Sequence, residues 1–153
     1  MESTFLNKFF EGFLQKQLSS CPRWGRDTLE EALQRFETLA KRTFCGDSDD
    51  DFYFPVPGIA DNKAAGVRRG RLHVTGQEMK DMFRPVLQEA HELVQDQVRT
   101  SSCKIKAIFL IGCFGQSPYL RKYLNQYFSP AIKVLAPVNG WTAVVRGALI
   151  KTI

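Results

Sequence analysis

The sequence predicts an α/β chain. Three observations carry that prediction. Apolar residues recur at helical spacing in the N-terminal part; a proline-flanked aromatic strand and a return strand interrupt those helices. Further on, five consecutive apolar residues, Ala107 to Ile111, run through a glycine turn into another helix.

The first helix is carried by Phe5, Leu6, Phe9, Phe10, Phe13, Leu14 and Leu18, a core-facing stripe. Cys21-Pro22 and Gly25 break it. Thr28 to Glu31 reads as a capping box, with Thr28 at the N-cap and Glu31 at the third helical position. The helix that follows turns Leu29, Ala32, Leu33, Phe36, Ala40 and Phe44 to one side, and Gly46 ends it. Lys41 and Arg42 fall in its last turn, where the helix dipole favours cations.

Asp51 to Pro57 reads as a strand that its prolines confine to a sheet edge. A polar loop runs from Gly58 to Gly70, and Arg71-Leu72-His73-Val74 is the return strand. Thr75 to Glu78 is a second capping box. It opens a long helix with Met79, Met82, Phe83, Val86, Leu87, Ala90, Val94 and Val98 inward, and Pro85 is expected to kink it.

Residues 104–111 then read as a strand covered on both faces, as in a parallel sheet. Gly112 to Pro118 turns the chain, with Ser117 suited to an N-cap and Pro118 to the first helical position. A helix to Phe128, a short strand at 132–135 and a final helix from Trp141 to Ile150 complete the order α α β β α β α β α. Only two strands look parallel and central. Such a sheet is too small to stand alone, so part of it is expected from elsewhere.

The chain has 153 residues, enough for one ordinary domain with a core that buries roughly 68–70% of its unfolded surface. Its hydrophobic share of 44% and charged share of 24% exclude a disordered or low-complexity chain. No apolar run approaches a membrane span, and Met1 to Asn7 lacks the basic and apolar regions of a secretion signal. Cys21, Cys45, Cys103 and Cys113 are scattered, which fits a reduced, cytoplasmic setting with no membrane partner.

The net charge of +5 suits an anionic partner. However, Arg68, Arg69 and Arg71 follow an acidic run from Asp47 to Asp51, and no aromatic platform interleaves with them. The expectation is two solvated arms that partly neutralise each other, not a nucleic-acid groove. His73 and His91 lack a second ligand at metal spacing, so no metal is expected. Asp47, Asp49 and Asp51 fit the first ligand positions of a calcium loop, but Phe52 and Gly58 stand where its glycine and final glutamate belong. Cys113 has no arginine six residues on (Tyr119 is there) and is expected as a buried packing thiol, not a nucleophile. No catalytic residue is expected.

The glycine turn at 112–115, between a strand and a helix, has the form of a phosphate-facing loop. KIKAIFLIGCFGQSPYLRKYLNQYF at 104–128 and PVNGWTAVVRGALI at 137–150 resemble the end of the ATPase domain of the heat-shock protein 70 family. The likeness is to its divergent, fungus-rich branch of actin-like ATPase-domain proteins. Ser3 to Asn7 with Phe9-Phe10-Glu11, Phe36-Glu37 with Lys41-Arg42, and Pro55 to Gly58 with Arg68 to Arg71 resemble that branch in the same order.

The resemblance implies a partial actin-like ATPase (ribonuclease H-like) fold, second lobe only, beginning after the second phosphate loop. Residues 1–100 would form a helical, hairpin-bearing upper subdomain that includes the connecting helix 76–98. Residues 101–153 would form the C-terminal βαβα part of a lower subdomain with an incomplete sheet. It places Gly112, Cys113, Phe114 and Gly115 beside the nucleoside and α-phosphate of ATP or ADP. Lys41 and Arg42 match the pair that clamps adenine and ribose. Glu37 matches the ribose-binding acid, with a spacing to Lys41 that differs by one residue from chaperones.

Two departures weaken the implied activity. Cys113 stands where the family has a second glycine, and its Cβ and sulfur would crowd a nucleotide. The sequence also contains no Asp-x-Gly, the loop that holds metal and attacking water in this family. The expectation is therefore residual nucleotide binding, no metal and no hydrolysis by this chain alone. The alternative is a non-catalytic module whose exposed sheet binds a protein partner or the missing lobe.

Overall fold

The computed structural model describes residues 4–138 and has a mixed α/β architecture with two small sheets. Helices α1 (Thr4–Leu18) and α2 (Arg26–Arg35) come first. A π turn (Phe36–Ala40) and a short α3 (Lys41–Thr43) continue α2. Strands β1 (Asp51–Pro55), β2 (Val67–Arg68) and β3 (Arg71–Thr75) precede the long α4 (Gly76–Thr100). Then come β4 (Ala107–Phe109), α5 (Gly112–Gly115), α6 (Pro118–Phe128) and β5 (Lys133–Leu135). These residues divide into two compact units. One comprises 4–42 and 46–85; the other comprises 43–45 and 86–138. The division within α4 falls at Pro85.

In the first unit, α1 buries Leu6, Phe10, Leu14 and Leu18. Phe5 and Phe9, expected on that stripe, are exposed. Four-residue steps keep the buried set on one line; residues 5 and 9 lie about 100° round the helix from it. The Phe10 and Phe36 rings stack at 4.2 Å and 6°, with Phe54 4.7 Å from Phe10 and Phe83 6.5 Å from Phe36. Four elements therefore meet on one aromatic cluster, which offset ring contacts stabilise beyond the area they bury.

The start of α2 corrects the expected capping box. Gly25 occupies the N-cap without a side-chain cap, and Thr28 lies inside the helix. Its buried hydroxyl donates to the Pro57 carbonyl at 3.4 Å instead. Helical structure also stops at Thr43, short of Gly46. The expected helix face is narrower too: Ala32, Phe36 and Ala40 are buried, whereas Leu29 and Leu33 are only half-buried.

The hairpin gains a third strand, in the order β1-β3-β2. Phe54 lies opposite Leu72 and Phe52 opposite Val74, so Phe54, Leu72 and Val74 are buried. β1 is an edge, as its prolines require. The 58–70 segment is partly ordered by its own backbone. Asn62 and Val67 exchange two hydrogen bonds of 2.9 Å, and Val56 N donates to Gly70 O at 2.9 Å. β2 and β3 join through Arg69 and Gly70, both at positive φ (52° and 68°), the pattern of a tight primed turn.

Thr75 caps α4 as the spacing predicts. Glu78 N donates to Thr75 Oγ1 at 3.2 Å, and Thr75 N donates to Glu78 Oε2 at 2.8 Å. Gly76 is required by contact: a Cβ there would sit 2.1 Å from the Asp47 carbonyl oxygen.

In the second unit, β4 and β5 run parallel, with Ile108 opposite Val134. Ser117 Oγ accepts from Leu120 N at 3.4 Å, and Pro118 begins α6, both as expected. Among the described residues, nothing covers both faces of residues 104–111 as expected. Leu110 is buried, but Phe109 is 62% exposed and Ile111 46% exposed. Only three residues pair, and among the described residues β5 is the sole neighbour of β4. The expected helix 141–150 lies outside the described residues.

Candidate functional site

Glu37, Lys41 and Arg42 fall on the π turn and the start of α3. π segments inside helices are frequent at functional positions. Lys41 is buried at 8% exposure, whereas Arg42 is exposed.

Asn7 on α1 organises this cluster. Its Nδ2 donates to Glu37 Oε1 at 2.6 Å, and its Oδ1 accepts from Lys41 Nζ at 2.6 Å. Lys41 Nζ also lies 3.5 Å from Glu37 Oε1 and 5.8 Å from the Phe36 ring centroid. The Asn7 hydrogen bond is the chief cause that holds the Glu37 carboxyl below its ordinary value. Partial burial opposes it, and Lys41 and Arg42 reinforce it. The result is an ionised, half-exposed carboxylate beside a fixed ammonium and an exposed guanidinium. Such a group can accept hydrogen bonds from vicinal hydroxyls while the cations meet an anion. Asn7 carries no signal of this role in the linear sequence, because only the fold brings α1 to this turn.

Gly112, Cys113, Phe114 and Gly115 form the single turn α5. Ile111 is extended, and Gly112 at φ 81° swings the chain into the turn. Phe114 and Gly115 point inward. A Cβ at Gly115 would lie 2.8 Å from the Leu110 carbonyl carbon, so glycine permits the turn to fold back on its own strand. Cys113 is exposed, which corrects the expectation of a buried packing thiol. Phe114 and Gly115 are the two covered residues of this one-turn helix, and Cys113, immediately before them, faces solvent.

The histidines have structural neighbours. His73 Nε2 lies 2.5 Å from Asp51 Oδ1, a cross-strand carboxylate that sequence spacing did not reveal. His91 sits among Tyr127, Phe128 and Tyr123, with centroids 4.4, 5.5 and 6.4 Å away. In that cluster burial, then the Tyr127 hydrogen bond, pushes the Tyr123 phenol up to about 12. Among the described residues, no group of three or more His, Cys, Asp or Glu could hold a metal ion. No helix among them is long and apolar enough to cross a membrane.

The arginine expectation also needs correction. Arg71 lies opposite Pro55 and Arg68 opposite Arg71, whereas Asp51 lies opposite Thr75. The acidic and basic residues thus occupy opposite ends of β1, about 13 Å apart at strand rise. Asp51 is engaged by His73 instead, and among the described residues no ion pair joins it to Arg68, Arg69 or Arg71.

No protein-family model, curated protein or solved structure matches the chain.

Proposed function

We propose that the chain is a non-hydrolysing half-domain of the actin-like ATPase type, with weak adenine-nucleotide binding at the Glu37–Lys41–Arg42 segment. The Asn7–Glu37–Lys41 network carries this reading. It fixes a carboxylate and an ammonium in one place, and it is tied by an asparagine from the N-terminal stretch that also resembles the family. The sequence contains no Asp-x-Gly, so the reading includes no phosphoryl transfer. Calorimetric titration with ATP tests it. Weak binding that Glu37→Ala abolishes is the expected result; no binding by the folded wild-type chain overturns it. The resemblance also gives Cys113 a nucleotide-facing role, and Cys113→Gly tests that part separately by strengthening binding.

A second reading rests on β4 and β5. Phe109 and Leu135 are exposed on a two-stranded parallel sheet, and Ile111 is exposed just beyond its end; such sheets are ordinarily covered on both faces. On this reading the module receives a further sheet-bearing polypeptide there. Sedimentation of the chain over a range of concentrations tests it. Association that Phe109→Ser with Ile111→Ser removes supports this reading; a wild-type monomer at every concentration overturns it.

A further inference from the structure

The outer face of the β1-β3-β2 sheet has a composition that packing does not explain. Strand alternation places Leu72 and Val74 inward and Arg71 and His73 outward. Register then sets Tyr53 beside His73 and Arg68 beside Arg71. Two arginines directly opposite each other destabilise a hairpin. The turn between them strains it further, because Arg69 takes a left-handed φ of 52° where glycine or asparagine is the usual residue. Arg69 is held there by its own amide, which donates to Asp61 Oδ1 at 2.7 Å.

Tyr53 is 54% exposed and stacks on His73 at 5.2 Å and 25°. It borders two hollows. One, of about 650 Å³, is also lined by Gly66, Arg68, Arg69, Arg71 and His73. The other, of about 530 Å³, also includes Arg35 and Arg71. Among the described residues none of these four guanidinium groups has a carboxylate partner, and the only acid lining either hollow is Asp51, already bonded to His73. The aromatic platform absent from the linear sequence is therefore present in space.

We propose that this face binds single-stranded nucleic acid, with a base stacked on Tyr53 and successive phosphates on Arg68, Arg71 and Arg35. Cations on both sides of one exposed ring fit an extended strand better than a single nucleotide, since the strand carries a phosphate to each hollow. Stacking on a π face tolerates any base, and arginine grips phosphate without reading sequence. The hollow that holds Arg35 is also lined by Leu39 of the Glu37–Arg42 segment, but the proposal does not depend on the nucleotide reading.

Fluorescence anisotropy with a labelled oligouridine of about 12 nucleotides tests the proposal, within the usual size range of such sites. Affinity is expected to fall linearly on a log–log plot against salt. Arg68→Ser with Arg71→Ser should flatten that slope by about 0.7 for each phosphate left without its arginine. Tyr53→Ala should weaken binding about 5- to 150-fold at unchanged slope, and Tyr53→Phe should restore it. Circular dichroism verifies that each variant is folded. Three results overturn the proposal: no binding at low salt, no loss with Tyr53→Ala, or equal binding of poly-glutamate, which would indicate an acidic-peptide surface. Equal binding of free uridine monophosphate overturns the extended-strand assignment.

Discussion

Asn7 bonds Lys41 across 34 residues of sequence, with Oδ1 and Nζ 2.6 Å apart. The same amide reaches Glu37 through its nitrogen, so one uncharged side chain orients both members of an ion pair. A side-chain amide suits that position because it carries a donor for the carboxylate and an acceptor for the ammonium on one rigid group.

Replacing Asn7 by alanine should raise the Glu37 carboxyl toward 4.5, because its hydrogen bond is the largest cause of the lowering. The linkage has a definite sign. Glu37 has a lowered folded-state value, so its contribution to stability is complete above about 4.5 and is lost as pH falls through that lowered value. Wild-type stability should therefore drop more steeply on acidification than that of Glu37→Gln. Carbon-detected titration of the carboxyl and urea melts at several pH values measure the two effects.

Gly76 and Gly12 should respond oppositely to alanine. A Cβ at 76 would strike the Asp47 carbonyl at 2.1 Å, whereas one at 12 meets nothing within 4 Å. Gly76→Ala should cost at least about 1–3 kcal/mol, the range of overpacking. Gly12→Ala, inside α1, should gain about 0.5–1 kcal/mol. Denaturant midpoints compare them.

Phe10→Ala should cost about 3–5 kcal/mol, because it removes a fully buried ring stacked on Phe36 and tilted against Phe54. Thermal and urea unfolding of the first unit should show the loss together.

Thr75→Ala should destabilise α4 by about 1 kcal/mol, since the reciprocal cap with Glu78 disappears. Amide hydrogen exchange at the first turn of α4 should speed up before exchange in its interior.

The Thr75 cap and the Ser117-Pro118 start were legible because each signal acts on neighbours three residues away. Thr28-x-x-Glu31 has the same form and failed, because Gly25 begins the helix earlier and Pro57 takes the hydroxyl. The Glu37–Lys41–Arg42 cluster was legible as charge but not as a network, since Asn7 arrives from another helix. The stack of Tyr53 on His73 depends on strand register. A linear reading of Arg68, Arg69 and Arg71 lacks that register, so it set them against the aspartates instead. The π turn has no local spelling that distinguishes it from continued α-helix.

That turn has a consequence for how this chain tolerates change. Every codon gained within a regular helix spins all later side chains by about 100° and would drag a buried row out to solvent. Between Phe36 and Ala40 the backbone has already loosened its pitch, and both residues remain covered. Loss of one residue at 38–39 is therefore taken up by a return to regular helical pitch, while the same edit between Leu29 and Leu33 has no slack to absorb it.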